Sequence, residues 1–349
     1  MKSVESSLLA IALLCVSACQ SRNVVHEVDA VELAHITALP DSSFFSDLRH
    51  LNVSGERIYA LDVDRRQVLS LDKKFEDLWL FGSGGRGPAE LLAPFSFTLH
   101  GGDVFIHDSP AQAVKIYSKE GFQDRRELDF VPYDYRWYER DGEFWMPLRN
   151  SDSLIVKSSP EGDVFFGKPR RIGSDKKTSI MNGCCVLDND GEPLAVYMVL
   201  PYARQYSSAG VLEREIDLSG AEFYGQNMAY IASRPTKENS AYILHQDAVI
   251  SGARLFLLCP RYGKQYRVDR ILEVDIPSGR PVRVIRLPEG VYGCIALDKD
   301  IVYAFNSGRG SLDMLKVSDQ YPQGFGDMPS RKTSLNGLTG ESASADRRA

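Results

Sequence analysis

The sequence has no long apolar run outside its N-terminus, where a membrane-spanning helix would need roughly 20 such residues. A polytopic membrane protein, a collagen and a coiled coil are therefore excluded. An excess of basic charge is also missing: the formal net charge is −6, which argues against a nucleic-acid partner. With 43% hydrophobic and 25% charged residues, the 349-residue chain has the composition of a folded protein of one large domain.

Motifs of common catalytic and metal sites are absent as well. The six histidines form no H-x-H or H-E-x-x-H pattern, so a zinc site has little support. No G-x-S-x-G elbow is present, which disfavours an α/β-hydrolase. Gly82, Gly84 and Gly87 have the spacing of the dinucleotide-binding fingerprint, but Pro94 ends any helix that follows after a turn or two. We interpret these glycines as part of a loop.

The N-terminus has the features of a lipoprotein signal peptide. Lys2 precedes an apolar stretch over residues 8–16, and Val16-Ser17-Ala18-Cys19 resembles the bacterial lipobox, in which small residues precede a cysteine that is lipidated. An ordinary signal peptide with an incidental cysteine, or a buried N-terminal helix, is the alternative.

The sequence therefore predicts a signal peptide over residues 1–18, lipidation at Cys19 and a tether over residues 19–25. The lipid would attach the exported protein to a membrane of the bacterial cell envelope. The residues after Cys19 form no acidic run, which favours the periplasmic side over the cell surface.

Short turns between extended segments recur six times along the chain. The intervals between successive anchors are 47, 40, 49, 61 and 48 residues, and the anchors are Gly55, Gly102, Gly142, Gly191, Gly252 and Asp300. Each anchor is followed by an apolar strand and, after a polar loop, by a second strand. Four short strands in every 40 to 50 residues are typical of a propeller blade. We predict an all-β, six-bladed β-propeller over residues 26–318 with four-stranded antiparallel blades; two β-sandwich domains are the alternative.

The two ends of this region complement each other. The last repeat ends near Val317, one strand short, whereas the extended residues 27–33 have no repeat of their own. We expect this N-terminal strand to complete the last blade and close the ring, which removes two sheet edges. Residues 319–349 are rich in Ser, Gly, Pro and charge, and we predict a disordered C-terminal tail.

Residues 81–91, which read FGSGGRGPAEL, carry a family resemblance together with the strands at 104–108 and 114–121. They are similar to the G-x-G-x-G-P-G-E-[FY] segment between the first two blades of six-bladed propeller lipoproteins common in Bacteroidetes, of the TolB-like or NHL-like type. Ala89 stands where glycine is usual, and Leu91 where an aromatic residue is usual. The resemblance implies a fold and a compartment rather than an activity.

Arginine is frequent in the loops between the second and third strands of the repeats. Because such loops share one face of a propeller with the channel mouth, we expect these side chains to converge on one rim. Arginine and tyrosine together suit an anionic or carbohydrate ligand, through bidentate hydrogen bonds and ring stacking. The candidates are Arg65, Arg66, Arg149, Arg204, Arg261, Tyr262 and Arg309. The alternative is a set of solvated loops.

Carboxylate and amide side chains near the starts of inner strands are candidate ligands for Ca²⁺ or another divalent cation in the channel. They are Asp47, Asp134, Asn182 and Asp247. Similar propellers that open lactones use a comparable set, but such residues are also common in turns. Our main prediction is that the protein has no cofactor.

The sequence leaves two functions open. The first is a non-catalytic module that binds a ligand or an envelope protein. The second is a propeller enzyme, a hydrolase, lactonase or lyase, acting on a sugar-derived or anionic substrate at the channel mouth, with or without a metal. Four cysteines remain after Cys19, and we expect buried free thiols, although pairing in an oxidising compartment is the alternative. They are Cys184, Cys185, Cys259 and Cys294.

Overall fold

The structure, a computed structural model, describes residues 25–150, 152–237 and 240–317. The predicted signal peptide, the lipidation site Cys19 and the predicted C-terminal tail lie outside these residues. None of the helices described has the length and apolar character that crossing a membrane requires.

The described chain is built mainly of β-strands. It begins with β1 (His26–Ile36). Sheet 1 follows, with strands β2 (Leu48–Ser54), β3 (Arg57–Asp62), β4 (Gln67–Asp72) and β5 (Leu78–Phe81). Sheet 2 contains β6 (Pro94–His100), β7 (Asp103–Asp108), β8 (Ala113–Ser118) and β9 (Gly121–Glu127). Sheet 3 contains β10 (Tyr138–Arg140), β11 (Glu143–Pro147), β12 (Ile155–Ser159) and β13 (Gly162–Phe166).

Sheet 4 has the same antiparallel order and is preceded by a short helix, α1 (Asp175–Met181). Its strands are β14 (Cys184–Asn189), β15 (Glu192–Tyr197), β16 (Tyr202–Tyr206) and β17 (Leu212–Asp217). A second helix, α2 (Glu222–Ala232), leads to the last seven strands. These are β18 (Asp247–Ser251), β19 (Arg254–Arg261), β20 (Arg267–Asp275), β21 (Arg280–Arg286), β22 (Tyr292–Asp298), β23 (Ile301–Asn306) and β24 (Ser311–Val317). The all-β propeller with four-stranded sheets that the sequence predicts is confirmed.

The last seven strands join β1 in one eight-stranded sheet, in the order β18-β19-β20-β21-β1-β24-β23-β22. The first half of β1 pairs in parallel with β21, where Val28 faces Ile285. The second half pairs antiparallel with β24, where Ala30 faces Val317. Strand β1 therefore covers the outer edges of two groups of strands at once, and neither edge remains open to another chain.

Tight turns join the first strand of each sheet to the second, at the positions that the repeat analysis used as anchors. Gly102 and Gly191 have φ of 94° and 89°, values that side-chain-bearing residues rarely adopt. In the sixth turn Lys299 takes the positive φ, at 56°. The anchors recur because the same turn is built each time.

Neighbouring sheets pack face to face and share their hydrophobic clusters. One cluster joins Val104 and Ile106 of sheet 2 to Leu61 and Val68 of sheet 1. Because both faces of each sheet are covered, the middle of the second strands is apolar, as in β3, where residues 58–61 are apolar and buried. Outer strands such as β9 are largely exposed and charged.

The four described cysteines are buried and free, as we expected for structural thiols. Burial raises the pKa of the Cys185 thiol to about 12 and the pKa of the Cys259 thiol to about 12. Both therefore remain protonated at neutral pH and act as small apolar side chains.

Candidate functional site

The first strands of neighbouring sheets lie side by side around a central channel, and a cavity of about 460 Å³ opens where several of them begin. We call it the mouth cavity. The starts of β2, β6, β18 and β22, the segment before β10 and loops of sheet 3 and of the eight-stranded sheet form its walls. Its polar lining includes Asp47, Arg49, His50, Asp134, Arg149 and Gln246. This volume is within the range of small-molecule sites.

A buried ion pair lies beneath the mouth cavity. The Arg136 guanidinium binds both carboxylate oxygens of Asp247, with Nε and Nη2 at 2.6 and 2.7 Å. It also donates to the carbonyl oxygens of Leu51 and Ile295, at 2.9 and 2.8 Å. The pair therefore ties together residues from the first strands of three strand groups.

This ion pair separates the mouth cavity from a smaller cavity of about 170 Å³. Along β2, His50 lines the mouth cavity, Leu51 binds Arg136, and Asn52 lines the smaller cavity. The same order holds at the start of β18: Gln246 lines the mouth cavity, Asp247 binds Arg136, and Val249 lines the smaller cavity. The two cavities share no lining residue, and the ion pair lies between them.

Arg149 and Asp134 are the two charged side chains of the mouth cavity without an ion-pair partner among the residues described. Arg149 is exposed, and its guanidinium lies over the ring of Tyr133, 5.5 Å from the ring centre. Oxygen Oδ1 of Asp134 is buried without a hydrogen-bond partner. Burial raises the pKa of Asp134, and the positive charges of Arg149 and Arg49 oppose this shift.

The other two charged residues of the mouth cavity neutralise each other, because Arg49 binds Asp47 at 2.8 Å. His50 adds a neutral polar group: burial lowers the pKa of its imidazole to about 4, and the charge of Arg136 acts in the same direction. The Nδ1 atom of His50 is buried without a partner. Aromatic rings complete the lining, and Tyr133 and Tyr135 pack 5.4 Å apart.

Among the candidate rim residues, Arg149 reaches the mouth cavity, and four other arginines are held by neighbouring groups. Arg65 donates to Ser43 Oγ at 2.6 Å. Arg204 binds Glu215 at 2.8 Å and lines a separate groove of about 330 Å³ with Tyr206. Arg261 binds both carboxylate oxygens of Asp269, each at 2.7 Å. Arg309 binds Glu32 at 2.8 Å and Asp313 at 2.6 Å.

The last two candidate rim residues lie outside the mouth cavity. Arg66 is exposed, and its side chain packs against Gly84. Tyr262 stacks on Tyr230 with ring centres 5.4 Å apart and donates its hydroxyl to the Ile243 carbonyl at 2.8 Å. Its neighbour Tyr266 does line the mouth cavity and is 44% exposed.

The four candidate metal ligands are not gathered at one point. Asp47 and Asp134 line the mouth cavity, whereas Asp247 binds Arg136. Asn182 ends α1, where its buried side chain bonds with the backbone of Arg170. Within residues 25–150, 152–237 and 240–317, no three His, Cys, Asp or Glu side chains are placed to hold a metal ion. Binding of a divalent cation stays a prediction.

Several mouth residues were missed by the sequence analysis. Arg49 and His50 lie two and three residues after Asp47, Tyr135 follows Asp134, and Gln246 precedes Asp247. The signal that found the acidic residues, a polar side chain at the start of an inner strand, also applies to their chain neighbours. Extending it by one to three residues would have found this set.

Comparisons with known proteins support the fold alone. No protein-family model matches the chain, and no curated protein matches its sequence. A DUF4221 family member from Bacteroides vulgatus shares the fold with a TM-score of 0.57, 6% identity and coverage of 84% of this chain and 98% of its own. A Bacteroides fragilis protein whose name describes it as exported has a TM-score of 0.54, 13% identity and coverage of 85% and 96%. A virginiamycin B lyase from Staphylococcus aureus has a TM-score of 0.49, 12% identity and coverage of 81% and 98%.

Proposed function

We propose that the protein is a six-bladed propeller of the bacterial cell envelope, anchored by a lipid on Cys19, that binds a small anionic ligand in its mouth cavity without transforming it. The name of the Bacteroides fragilis protein, which has the same fold, accords with export. The lipid anchor, the number of blades and the ligand are three parts of this proposal, and a different observation supports each of them.

The count of six blades is supported by the order in which the first strands touch. Strands β2, β6, β10, β14, β18 and β22 each contact the next, and β22 contacts β2. Hydrophobic clusters follow the same circle, and the cluster with Leu48 and Leu51 of sheet 1 includes Cys294 and Phe305. In this proposal, the eight-stranded sheet is two blades, and β1 completes the second as its outer strand.

Ligand binding is supported chiefly by Arg149, a cation in the mouth cavity with no ion-pair partner among the described residues. A guanidinium presents a planar fork that binds a carboxylate, sulfate or phosphate through two parallel hydrogen bonds. The ring of Tyr133 lies beneath it, 5.5 Å away, and a contact of this kind would favour one orientation of the guanidinium before an anion binds. The other candidate arginines with carboxylate partners would have to break those pairs first.

The test is a binding measurement on the purified domain with glucuronate, a sulfated hexose and neutral glucose. We expect the two acidic sugars to raise the thermal midpoint and glucose to have no effect. Arg149→Gln should weaken the response about tenfold or more, because a charge-assisted pair is lost. Arg66→Gln is the matched control, since it removes an exposed arginine outside the mouth cavity. An unchanged response in Arg149→Gln would overturn the proposed site.

A catalytic role is the second candidate, and the raised pKa of Asp134 favours it. A partly buried carboxyl group in a cleft is suited to exchange protons with a substrate. We rank it second because the described residues bring no three metal-binding side chains to this carboxyl group. Conversion of a bound acid or its lactone can be followed by NMR. If the unaltered protein converts it and Asp134→Asn does not, the catalytic role becomes the favoured function.

A further inference from the structure

We propose that the ligand of the mouth cavity is a small zwitterion, an acid that also carries an ammonium group, and that Asp134 selects the ammonium. This inference rests on the proposed function, because it names the class of ligand for the same site. It places Asp134 beside Arg149 as a second residue that determines specificity.

The charge balance of the cavity is the first argument. Its lining contains two arginines and two aspartates, and His50 is neutral, so the formal charge is zero. Arg49 and Asp47 satisfy each other at 2.8 Å. What remains is one positive group, Arg149, and one negative group, Asp134, which form no ion pair with each other. Two separated, opposite charges are complementary to a ligand with the same separation and reversed signs.

The surroundings of Asp134 are the second argument. Burial raises the pKa of Asp134, the charges of Arg149 and Arg49 oppose this shift, and Oδ1 is buried without a hydrogen-bond partner. The carboxylate form therefore lacks a donor that a bound cation would supply. An unpartnered carboxylate oxygen is costly, and an ammonium donor satisfies it with both a hydrogen bond and an opposite charge. A hydroxyl group supplies the hydrogen bond alone.

The aromatic lining is the third argument. Tyr133, Tyr135, Tyr266 and Tyr292 all line the cavity. The face of a tyrosine ring carries negative electrostatic potential and attracts cations, and an ammonium group benefits more than a hydroxyl group. The cavity of about 460 Å³ accommodates a molecule of amino-acid or amino-sugar-acid size.

The experiment compares two acids that differ at one group. D-Glucosaminate carries an ammonium at the carbon where D-gluconate carries a hydroxyl, and D-glucosamine has the ammonium without the acid. Titration calorimetry on the unaltered protein should show glucosaminate binding about tenfold or more tighter than gluconate. Glucosamine, which cannot engage Arg149, should bind more weakly than glucosaminate.

Two variants assign the preference to a residue. Asp134→Asn keeps the size of the side chain and removes its charge, so the ratio of the two affinities should fall to near one. Asp124→Asn is the matched control: it makes the same change at an exposed aspartate of β9, outside the mouth cavity, and should keep the preference. Circular dichroism of both variants verifies that they are folded.

The outcomes separate this inference from the function on which it rests. Equal binding of both acids by the unaltered protein would overturn the zwitterion and leave an anion-binding site. A preference that persists in Asp134→Asn would overturn the role of Asp134. If the unaltered protein binds neither acid, the zwitterion and the anion-binding function are both overturned.

Discussion

Three buried histidines illustrate how single side chains couple this fold to pH. Burial lowers the pKa of His50, His107 and His245 to about 4 each. In the unfolded chain the pKa of a histidine is about 6.5. Between these values the unfolded chain binds protons that the folded chain does not bind, so acid favours unfolding.

We therefore predict that the free energy of unfolding is highest above pH 6.5 and decreases as the pH falls toward 4. The decrease should reach about 1.4 kcal/mol per pH unit for each histidine in the middle of this range. Urea denaturation at pH 7, 6, 5 and 4.5 measures it. His107→Leu removes one of the three histidines, at a position away from the mouth cavity. Its free energy of unfolding should depend less steeply on pH, by the contribution of one bound proton. Equal slopes for the two proteins would contradict the prediction.

The side-chain partners at the site illustrate what a sequence can and cannot predict. Asp47 and Asp134 could be selected from the sequence because the starts of the inner strands recur with each repeat and both residues lie near such a start. The partner of Asp247 was not, because Arg136 is 111 residues away along the chain and only the closed fold brings the two together. The pairs of Arg204 with Glu215 and of Arg261 with Asp269 are local, because each joins neighbouring strands of one hairpin. They were missed because the sequence does not show which residues face each other across a hairpin.

At the scale of elements, β1 combines two pairing modes within 11 residues. Its inward side chains, such as Val28, are buried in the cluster shared by β18–β21 and β22–β24, whereas Val31 is 60% exposed. The sequence predicts a strand over residues 27–33 because this extended segment belongs to none of the repeats. The parallel pairing with β21 was not predictable, because it depends on where the neighbouring edge lies after folding.

Substitutions on the two faces of β1 test its contribution to stability. Val28→Asp should lower the free energy of unfolding by about 3 kcal/mol or more, because it buries an unpaired carboxylate. Val31→Asp, the same change on the exposed face, should leave it nearly unchanged. Thermal midpoints of the two variants and the unaltered protein provide the measurement. Similar midpoints for both variants would show that β1 does not stabilise the fold.

At the scale of the whole molecule, regular features were predictable and irregular ones were not. Turn glycines, such as Gly102 and Gly191, repeat because each sheet uses the same tight turn. Helices α1 and α2 were missed, since each occurs once and lies in a connection between sheets. The lipid anchor and the C-terminal tail stay predictions because they fall outside the described residues.

The anchor is tested in cells rather than in the isolated domain. Cys19→Ala removes the thiol that would carry the lipid, so we expect the protein to leave the membrane fraction and appear in the soluble extract. Cys185→Ala serves as the control, because it alters a cysteine buried in the propeller. A Cys19→Ala protein that still sediments with membranes after a salt wash would refute lipid anchoring.

The ion pair between Arg136 and Asp247 makes the propeller a cup rather than a tube. The pair lies between the mouth cavity and the smaller cavity, and Arg136 also donates to the carbonyl oxygens of Leu51 and Ile295. We therefore expect an occupant of the mouth cavity to exchange with solvent through the mouth. A protein that docked over that face would then slow the escape of the occupant, whereas one on the opposite face would leave its escape rate unchanged.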